Sequence, residues 1–276
     1  MSTDNITLDI ETIPTQNRVH IDAITSKVQA ELNDKVGRLT EEHDNVQPPG
    51  NVKDPEKIAE AIAKKRAGIL QEIEATKAEA AAKLEDEYRK TSLNGGLGRV
   101  VVCSLAFGDG DPFALCEMNW KAPGAEKKVL LMINEAIDGH CKHHRGQQLI
   151  GHNILRFDRK FLRQRGIING VTMHRLISEE VKPWDKGVVF DTMTAWTGDP
   201  REFISMNALC QILGLPGKGD DIDGSKVWDY VAAGRLDIVA AYCNEDVRRT
   251  YAMFERLRGI KPVAFDFERE DDEVAA

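Results

Sequence analysis

The chain has 276 residues, of which 42% are hydrophobic and 30% are charged, and its formal net charge is -8. These values are ordinary for a globular protein, and no apolar run approaches the roughly 20 residues that a membrane-spanning helix needs. The negative charge argues against a protein that binds nucleic acid over its whole surface, because such binding depends on Lys and Arg neutralising phosphates. It does not exclude a nuclease, because carboxylates that bind Mg²⁺ themselves add negative charge.

The start of the chain and its cysteines favour a cytoplasmic location. Residues 1–13 lack the basic and apolar regions of a secretory signal, and the five cysteines are scattered and odd in number. We therefore expect a soluble protein in a reducing cytoplasm, with no membrane partner.

The chain opens with a strand pattern and continues with a long helical pattern. Residues 6–10 alternate and are rich in β-forming residues, and Pro14 ends the extended run, which predicts a first strand. Residues 20–92 are rich in Ala, Glu and Lys, with one break at 47–50. Apolar residues recur at steps of three or four before the break and at steps of eleven after it. We predict two helices that pair as an antiparallel hairpin.

The rest of the chain alternates between strand and helix patterns. Two strands around a Gly-Asp-Gly-Asp turn are predicted to pair beside the first strand. The alternation that follows predicts an α/β fold with a mixed sheet flanked by helices. The predicted strands are Val100–Phe107, Phe113–Met118, Gln148–Gly151 and Val188–Asp191. The predicted helices are Glu126–His144, Phe157–Arg165, Ser205–Leu213, Val227–Ala233 and Leu236–Leu257.

Carboxylates occur at three of these elements. Asp9 and Glu11 end the first strand, whose period of two points both side chains to the same side. Asp158 opens a helix, where exposed backbone N–H groups favour an anion. Tyr242 and Asp246 are four residues apart on the last helix and share one face. Each signal alone has a plain alternative, namely a strand edge, a helix cap or ordinary packing, but together they favour one site.

These motifs resemble those of the DEDDy branch of the RNase H-like 3'-5' exonucleases, and within it the predicted exonucleases similar to the proofreading domain of family B DNA polymerases. The His-containing branch of this family has a His five residues before the last Asp, and that position is Ala241 here, so the Tyr branch is indicated. The resemblance covers residues 5–14 and about 97–258. The residues that carry it are 9–14, 151–153, 157–158, 242–243 and 246–247, with weaker support from 205–210 and 213–215.

The resemblance implies a fold and a domain organisation. The fold is an RNase H-like mixed sheet flanked by helices, with a helical-hairpin insertion after the first strand. We expect the exonuclease domain at residues 1–16 and 94–262, the hairpin insertion at 17–93, and an acidic, disordered tail at 263–276.

The resemblance also implies a mechanism. One cation lowers the pKa of the attacking water and the other stabilises the leaving 3' oxygen, which releases a nucleoside monophosphate. Tyr242 orients the water, because a phenol is a poor base at neutral pH. Thr12 and Ile13 lie where the family holds the terminal nucleotide, and Asn153 fixes the loop or touches the substrate. The two Mg²⁺ or Mn²⁺ ions, about 4 Å apart, are expected on Asp9, Glu11, Asp158 and Asp246.

The substrate and the role of the hairpin are open at this point. DNA with a 3' end is expected over RNA because of the resemblance to proofreading domains. The sequence contains no recognisable signal for contact with the 2'-hydroxyl of RNA, so an exoribonuclease is an alternative. The expected setting is DNA repair, recombination or nucleotide recycling. A second alternative is a catalytically silent nucleic-acid-binding or scaffold protein. The hairpin is either a solvated arm or a surface for DNA guidance, a protein partner or homo-oligomer formation.

Three further groups of residues have a functional and a plain interpretation. Asp191 ends a predicted strand and either supports the metal site or is a turn carboxylate. Four cations near the motifs are candidate phosphate donors, although surface charge explains each of them: Arg156, Arg159, Lys218 and Lys226. Four residues of zinc-ligand type lie within one predicted helix and have no second ligand pair, which favours a solvated helix end: His140, Cys141, His143 and His144.

Overall fold

The computed structural model describes residues 5–144, 146–181, 187–199, 201–217 and 222–259. The strands are β1 (Ile6–Ile13), β2 (Arg99–Phe107), β3 (Phe113–Cys116), β4 (Leu149–Gly151) and β5 (Val189–Asp191). The helices are α1 (Arg18–Asp44), α2 (Pro55–Lys90), α3 (Ala125–His143), α4 (Asp158–Asn169), α5 (Arg175–Ser178), α6 (Thr192–Thr197), α7 (Met206–Ile212), α8 (Val227–Ala232) and α9 (Leu236–Leu257). The chain divides into two compact units, one of residues 1–12 and 100–276 and one of residues 13–99. The acidic tail expected at 263–276 lies outside the described residues.

The described strands form one mixed sheet in the order β3-β2-β1-β4-β5. β1 runs parallel to β4, and β4 runs parallel to β5, whereas β2 and β3 are antiparallel. The register places Gly151 opposite Asp191, so the ends of β4 and β5 meet at one edge. The α/β fold with a mixed sheet flanked by helices, as predicted from the sequence, is confirmed.

The alternation along β1 separates the core from the candidate site. Ile6, Leu8 and Ile10 are at most 5% exposed and belong to the main apolar cluster. That cluster includes residues of α3, α4 and α5, and each large side chain buried in it contributes about 1.5–3 kcal/mol. Because successive side chains of a strand point to opposite faces, Asp9 and Glu11 project away from this core.

A buried ion pair fixes α4 against α3. Arg165 Nε and Nη2 each donate to a different oxygen of the Glu126 carboxylate at 2.7 Å, and both side chains are at most 8% exposed. Glu126 Oε1 also accepts from the backbone N–H of Val100 at 3.0 Å, which ties the start of β2 to the same carboxylate. These contacts hold the helix that begins at Asp158.

In the second unit, α1 and α2 pack against each other as an antiparallel pair. Asn17 and Asp54 cap the two helices with their side-chain oxygens, and Pro55 occupies the first turn of α2. A small apolar cluster lies between the helices, and its buried members are Leu39, Val46, Ile69 and Ile73. Ion pairs cross between the helices on the outside, as at Lys35–Glu79, Lys65–Glu42 and Lys83–Glu31. Their order along the two helices shows the antiparallel direction.

The sequence patterns do not predict the short helices α5 and α6. Asp191 both ends β5 and caps α6, since its Oδ1 accepts from the N–H groups of Met193 and Thr194 at 3.0 and 3.3 Å. α4 also runs on to Asn169, beyond the predicted Arg165, and ends at a left-handed Gly170. In the part of the chain that the structure describes, none of the helices has the length and apolar character needed to cross a membrane.

Candidate active site

Asp9 and Glu11 lie side by side on β1, with the thiol of Cys243 against them. One potential ligand atom from each of these three residues lies within 4.8 Å of the others. Among the described residues, they form the one group of three or more His, Cys, Asp or Glu side chains with this spacing. Cys243 Sγ lies 3.4 Å from Asp9 Oδ2 and 3.5 Å from the Asp9 carbonyl oxygen. The first pair of predicted carboxylates is therefore together in space.

Asp158 joins this pair through the backbone of β1. Its Oδ1 accepts a hydrogen bond from the N–H of Ile10 at 3.2 Å, between the two carboxylates of the strand. Burial raises the pKa of Asp158 to about 7, against the opposing effect of the backbone N–H groups that it accepts from, while the charge of Asp191 adds to the rise. Asp158 is thus a buried carboxyl that gains a proton near neutral pH when no cation is present.

The charges of the other three carboxylates all act on Asp9. Burial is the largest cause that raises the pKa of Asp9 well above its ordinary value, followed by the charges of Asp158, Glu11 and Asp246. Asp158 and Asp246 lie outside the tight group of ligand atoms described above, but their charges reach it. The four predicted carboxylates therefore share one electrostatic environment, which favours a cation.

α9 places Tyr242 and Asp246 on its buried side, where they are 7% and 4% exposed. Burial, and then the charges of Asp246, Glu11 and Asp9, raise the pKa of the Tyr242 hydroxyl far above its ordinary value, and a hydrogen bond to Asp246 has the same direction. The hydroxyl keeps its proton, so it is a hydrogen-bond donor and not a base.

Arg249 lies one turn after Asp246 and was not singled out by the sequence patterns. Its Nη1 donates to Asp246 Oδ1 at 3.0 Å, and its Nε donates to the Gly217 carbonyl oxygen at 3.2 Å. The Arg249 and Asp246 side chains are 14% and 5% exposed. This largely buried pair holds the carboxylate of Asp246 in place and links α9 to the loop that follows α7.

Asp191 organises the turn between β4 and α4. Its Oδ1 accepts from the N–H of Asn153 at 3.0 Å and its Oδ2 accepts from the N–H of Leu155 at 3.1 Å. Asn153 has a φ of 61°, the one positive value among the described residues other than glycine. A left-handed residue costs energy unless its surroundings hold it, and the Asp191 carboxylate does so. Asp191 therefore supports the turn that leads to Asp158.

His152 and Gly151 fix the same turn from its other side. His152 Nε2 donates to the Ile204 carbonyl oxygen at 3.0 Å, and its Nδ1 lies 2.9 Å from the hydroxyl of Thr192. A Cβ at Gly151 would lie 2.5 Å from the Cβ of Ile154, so only glycine fits there without a shift. The Gly-His-Asn motif thus sets the path of the backbone toward Asp158.

A family comparison adds independent information. Residues 91–275 match the family described as predicted 3'-5' exonucleases related to the exonuclease domain of PolB. The chain belongs to this family. The resemblance stated from the sequence motifs is confirmed, and the mixed sheet is consistent with the RNase H-like exonuclease fold. A search of the curated proteins found no match.

The family match begins after the helices α1 and α2. It includes Asp158, Tyr242 and Asp246, whereas Asp9 and Glu11 lie before it. The structure brings Asp9 and Glu11 to the matched region, since β1 lies between β2 and β4 in the sheet. As an exonuclease of this predicted kind, the chain is expected to hydrolyse nucleic acid and to use divalent cations.

Thr12, Ile13 and Asn153 are the predicted substrate contacts, and their exposure differs. Thr12 and Asn153 are partly exposed, whereas Ile13 is fully buried. The described conformation offers no accessible surface of Ile13 to a nucleotide. The substrate role of these three residues stays a prediction.

The four candidate phosphate donors differ in their exposure and contacts. Arg159 is 6% exposed, and its Nε and Nη2 donate to the carbonyl oxygens of Leu176 and Glu179 at 2.8 and 2.6 Å. The suggestion that Arg159 contacts substrate is therefore wrong, because its guanidinium holds the backbone near α5. Arg156 is exposed. The Nζ of Lys226 lies 4.0 Å from Oδ2 of Asp223. Lys218 lies outside the described residues.

The His-rich end of α3 forms a ring stack and not a ligand group. The rings of His140 and His144 are stacked with centroids 4.4 Å apart, and His140 also stacks on Phe107 at 4.2 Å. Among the described residues, no group with metal-ligand spacing includes these histidines.

Proposed function

We propose that this chain is a 3'-5' exonuclease that releases nucleoside monophosphates from the 3' end of single-stranded DNA with the help of two divalent cations. The observation that carries the proposal is the shared environment of Asp9, Glu11, Asp158 and Asp246 beside Tyr242. A structural role does not require four acidic side chains at one place, because their mutual repulsion costs stability when no cation is bound.

The donor set fits Mg²⁺ or Mn²⁺. Carboxylate oxygens are the ligands that these hard cations prefer, and the raised pKa values of Asp9 and Asp158 show the unfavourable charge that a cation would offset. The cations, when bound, supply a nucleophilic water at neutral pH and stabilise the leaving oxygen. The residues that would hold them are Asp9, Glu11, Asp158 and Asp246.

The protein's own residues supply position and hydrogen bonds. Tyr242 keeps its proton, so its hydroxyl is suited to orient an attacking water through a hydrogen bond. Asp191 and His152 hold the turn before Asp158, and the largely buried Arg249 holds Asp246. Fixed ligands of this kind reduce the reorganisation needed when substrate binds.

The test is release of nucleotides from a single-stranded DNA labelled at its 5' end, in the presence of Mn²⁺ or Mg²⁺. We expect a ladder of products shortened one nucleotide at a time, with nucleoside 5'-monophosphates as the small product. Asp9→Ala and Glu11→Ala should each lower the rate at least about a hundredfold, because each removes a ligand oxygen. Glu245→Ala is the matched control, because this exposed carboxylate on α9 pairs with Arg248 and not with the site.

Retention of the full rate by Asp9→Ala, or cleavage in the presence of excess chelator, would refute the proposal. An RNA strand of the same sequence is run beside the DNA strand. If the RNA is shortened faster, the proposed substrate changes from DNA to RNA, while the proposed role of the four carboxylates is unchanged.

A further inference from the structure

Arg249 places a positive charge against one of the four candidate carboxylates. It lies three residues after Asp246 on α9, and its Nη1 donates to Asp246 Oδ1 at 3.0 Å. Side chains three residues apart are neighbours on a helix surface, so the pair forms within one turn. Only 14% of the Arg249 side chain and 5% of the Asp246 side chain are exposed. The ion pair is therefore largely shielded from water.

A second contact keeps the Arg249 guanidinium beside Asp246. Its Nε donates to the Gly217 carbonyl oxygen at 3.2 Å, in the loop that follows α7. A Cβ at Gly217 would lie 2.8 Å from Asn207 Oδ1, so this part of the loop lies close against α7. The Arg249 side chain cannot turn toward solvent without losing the bonds of both Nε and Nη1. These bonds favour a guanidinium that stays beside Asp246 when a cation approaches.

The neighbouring Arg248 has the same kind of pair in a different environment. Its Nη1 pairs with Glu245, which is also three residues earlier, and its Nη2 lies 3.3 Å from Asp111 Oδ1. The side chains of Arg248 and Glu245 are 40% and 48% exposed. Arg248 therefore matches Arg249 in charge and in spacing to its partner, but water screens its charge.

The pair of Arg249 and Asp246 affects any cation that this carboxylate binds. Such a cation and the guanidinium would share one carboxylate, and two positive charges in contact with the same group repel each other. The repulsion is stronger than in water, because the effective dielectric constant of a largely buried place is about 20 rather than about 80. Arg249 thus offsets part of the negative charge that attracts a cation to the candidate active site.

We infer that Arg249 limits the affinity of the candidate active site for the divalent cation that Asp246 would bind. The inference rests on the proposed function, in which Asp246 is a cation ligand. Arg249 is then a positioning residue that fixes Asp246 and, through the same contact, weakens cation binding. The cation concentration at which the site fills depends on this arginine as well as on the four carboxylates.

A purely structural role of Arg249 predicts the opposite effect on cation affinity. Groups that hold a metal ligand in place typically raise metal affinity about 10- to 100-fold, so their loss weakens binding. The charge of Arg249 should outweigh its structural effect, because Asp246 has other constraints. It is buried within the 22-residue helix α9, and it shares a hydrogen bond with the hydroxyl of Tyr242. The sign of the change in affinity therefore separates the two roles.

The experiment measures Mn²⁺ binding in the absence of nucleic acid, from the electron paramagnetic resonance signal of the free ion. Arg249→Met and Arg249→Gln remove the charge, and Arg249→Lys keeps it. Arg248→Met is the matched control, because it makes the same change in net charge one residue away, at an exposed pair of the same spacing. Thermal unfolding in the presence of EDTA checks that each variant is folded.

We expect Arg249→Met and Arg249→Gln to bind at least one Mn²⁺ ion at least about tenfold more tightly than the unaltered protein. Arg249→Lys and Arg248→Met should bind Mn²⁺ like the unaltered protein. Added Mn²⁺ should accordingly raise the melting temperature of Arg249→Met more than that of the unaltered protein. Weaker or unchanged binding by both neutral variants would overturn the inference. An equal gain in Arg248→Met would also overturn it, because affinity would then follow net charge alone.

Measurements of nucleotide release separate this inference from the proposed function. If the unaltered protein releases nucleotides with Mn²⁺ but the neutral Arg249 variants bind Mn²⁺ no more tightly, the inference fails and the proposed function stands. If these variants bind Mn²⁺ more tightly but neither they nor the unaltered protein release nucleotides, the inference stands and the proposed function fails.

Discussion

Asp158→Asn should stabilise the folded protein when no divalent cation is present. The pKa of Asp158 rises from its ordinary value of 3.8 to about 7 on folding, chiefly because the side chain is buried. Ionisation of this group therefore costs the folded state on the order of 4 kcal/mol at pH values above 7, at about 1.4 kcal/mol for each unit of pKa. Asparagine has nearly the same shape, carries no charge and can still accept from the Ile10 N–H.

The pH dependence of this effect has a defined sign. The folded state holds the Asp158 proton more tightly than the unfolded state, so the unaltered protein loses stability as the pH rises from about 4 to about 7. The advantage of Asp158→Asn should accordingly be small near pH 4, grow by about 1.4 kcal/mol per pH unit, and level off above pH 7. Urea unfolding in the presence of EDTA, at several pH values, measures it.

Asp191→Asn is a control for which we expect the opposite change in stability. The Asp191 carboxylate is also buried, but it accepts backbone N–H groups on both of its oxygens. Replacing one carboxylate oxygen by an NH₂ group would leave a backbone N–H group facing another donor, so this variant should lose stability.

If Asp158→Asn is no more stable than the unaltered protein at pH 8, or if its advantage does not shrink toward pH 4, the argument from burial is wrong. Added Mn²⁺ should raise the melting temperature of the unaltered protein more than that of Asp158→Asn.

Substitutions at three other positions have definite expected outcomes. Tyr242→Phe should lower kcat about 10- to 100-fold while Mn²⁺ binding, followed by electron paramagnetic resonance, changes little, because the hydroxyl orients and is not an expected ligand. Arg165→Met should lower the free energy of unfolding by about 3–5 kcal/mol in urea titrations, because it leaves the buried Glu126 carboxylate without its charged partner. Cys243→Ser should keep most of the nuclease rate and Cys243→Ala less, since only the first retains a donor toward Asp9; equal rates would show that the thiol merely fills space.

The candidate carboxylates could be found in the sequence because their placement depends on local periodicity. A strand brings every second residue to one side, and a helix brings residues four apart together, so Asp9 with Glu11 and Tyr242 with Asp246 need no knowledge of the tertiary structure. The mixed sheet follows in the same way from alternating strand and helix patterns.

Other features depend on packing between distant segments, which local patterns do not contain. Cys243 meets Asp9 across 234 positions of sequence, and no spacing rule connects them. Arg159 and Lys160 are adjacent and both carry a positive charge, yet Arg159 is buried and Lys160 is exposed. The difference arises because Arg159 meets the carbonyl oxygens of Leu176 and Glu179, whose position is set by the fold of α5 against α4.

The central place of β1 in the sheet affects how the protein acquires its shape. Ile6 pairs with Leu149, so this strand finds its neighbour only after a long stretch of chain has been brought close. Closing so large a loop costs entropy before any contact compensates for it, and non-local pairing of this kind slows folding. In a partly folded chain whose strand β1 has not yet paired, Asp9 and Glu11 are not yet at the candidate active site. Under the proposed function, the four carboxylates can bind a cation together only after β1 has docked, which is late in folding.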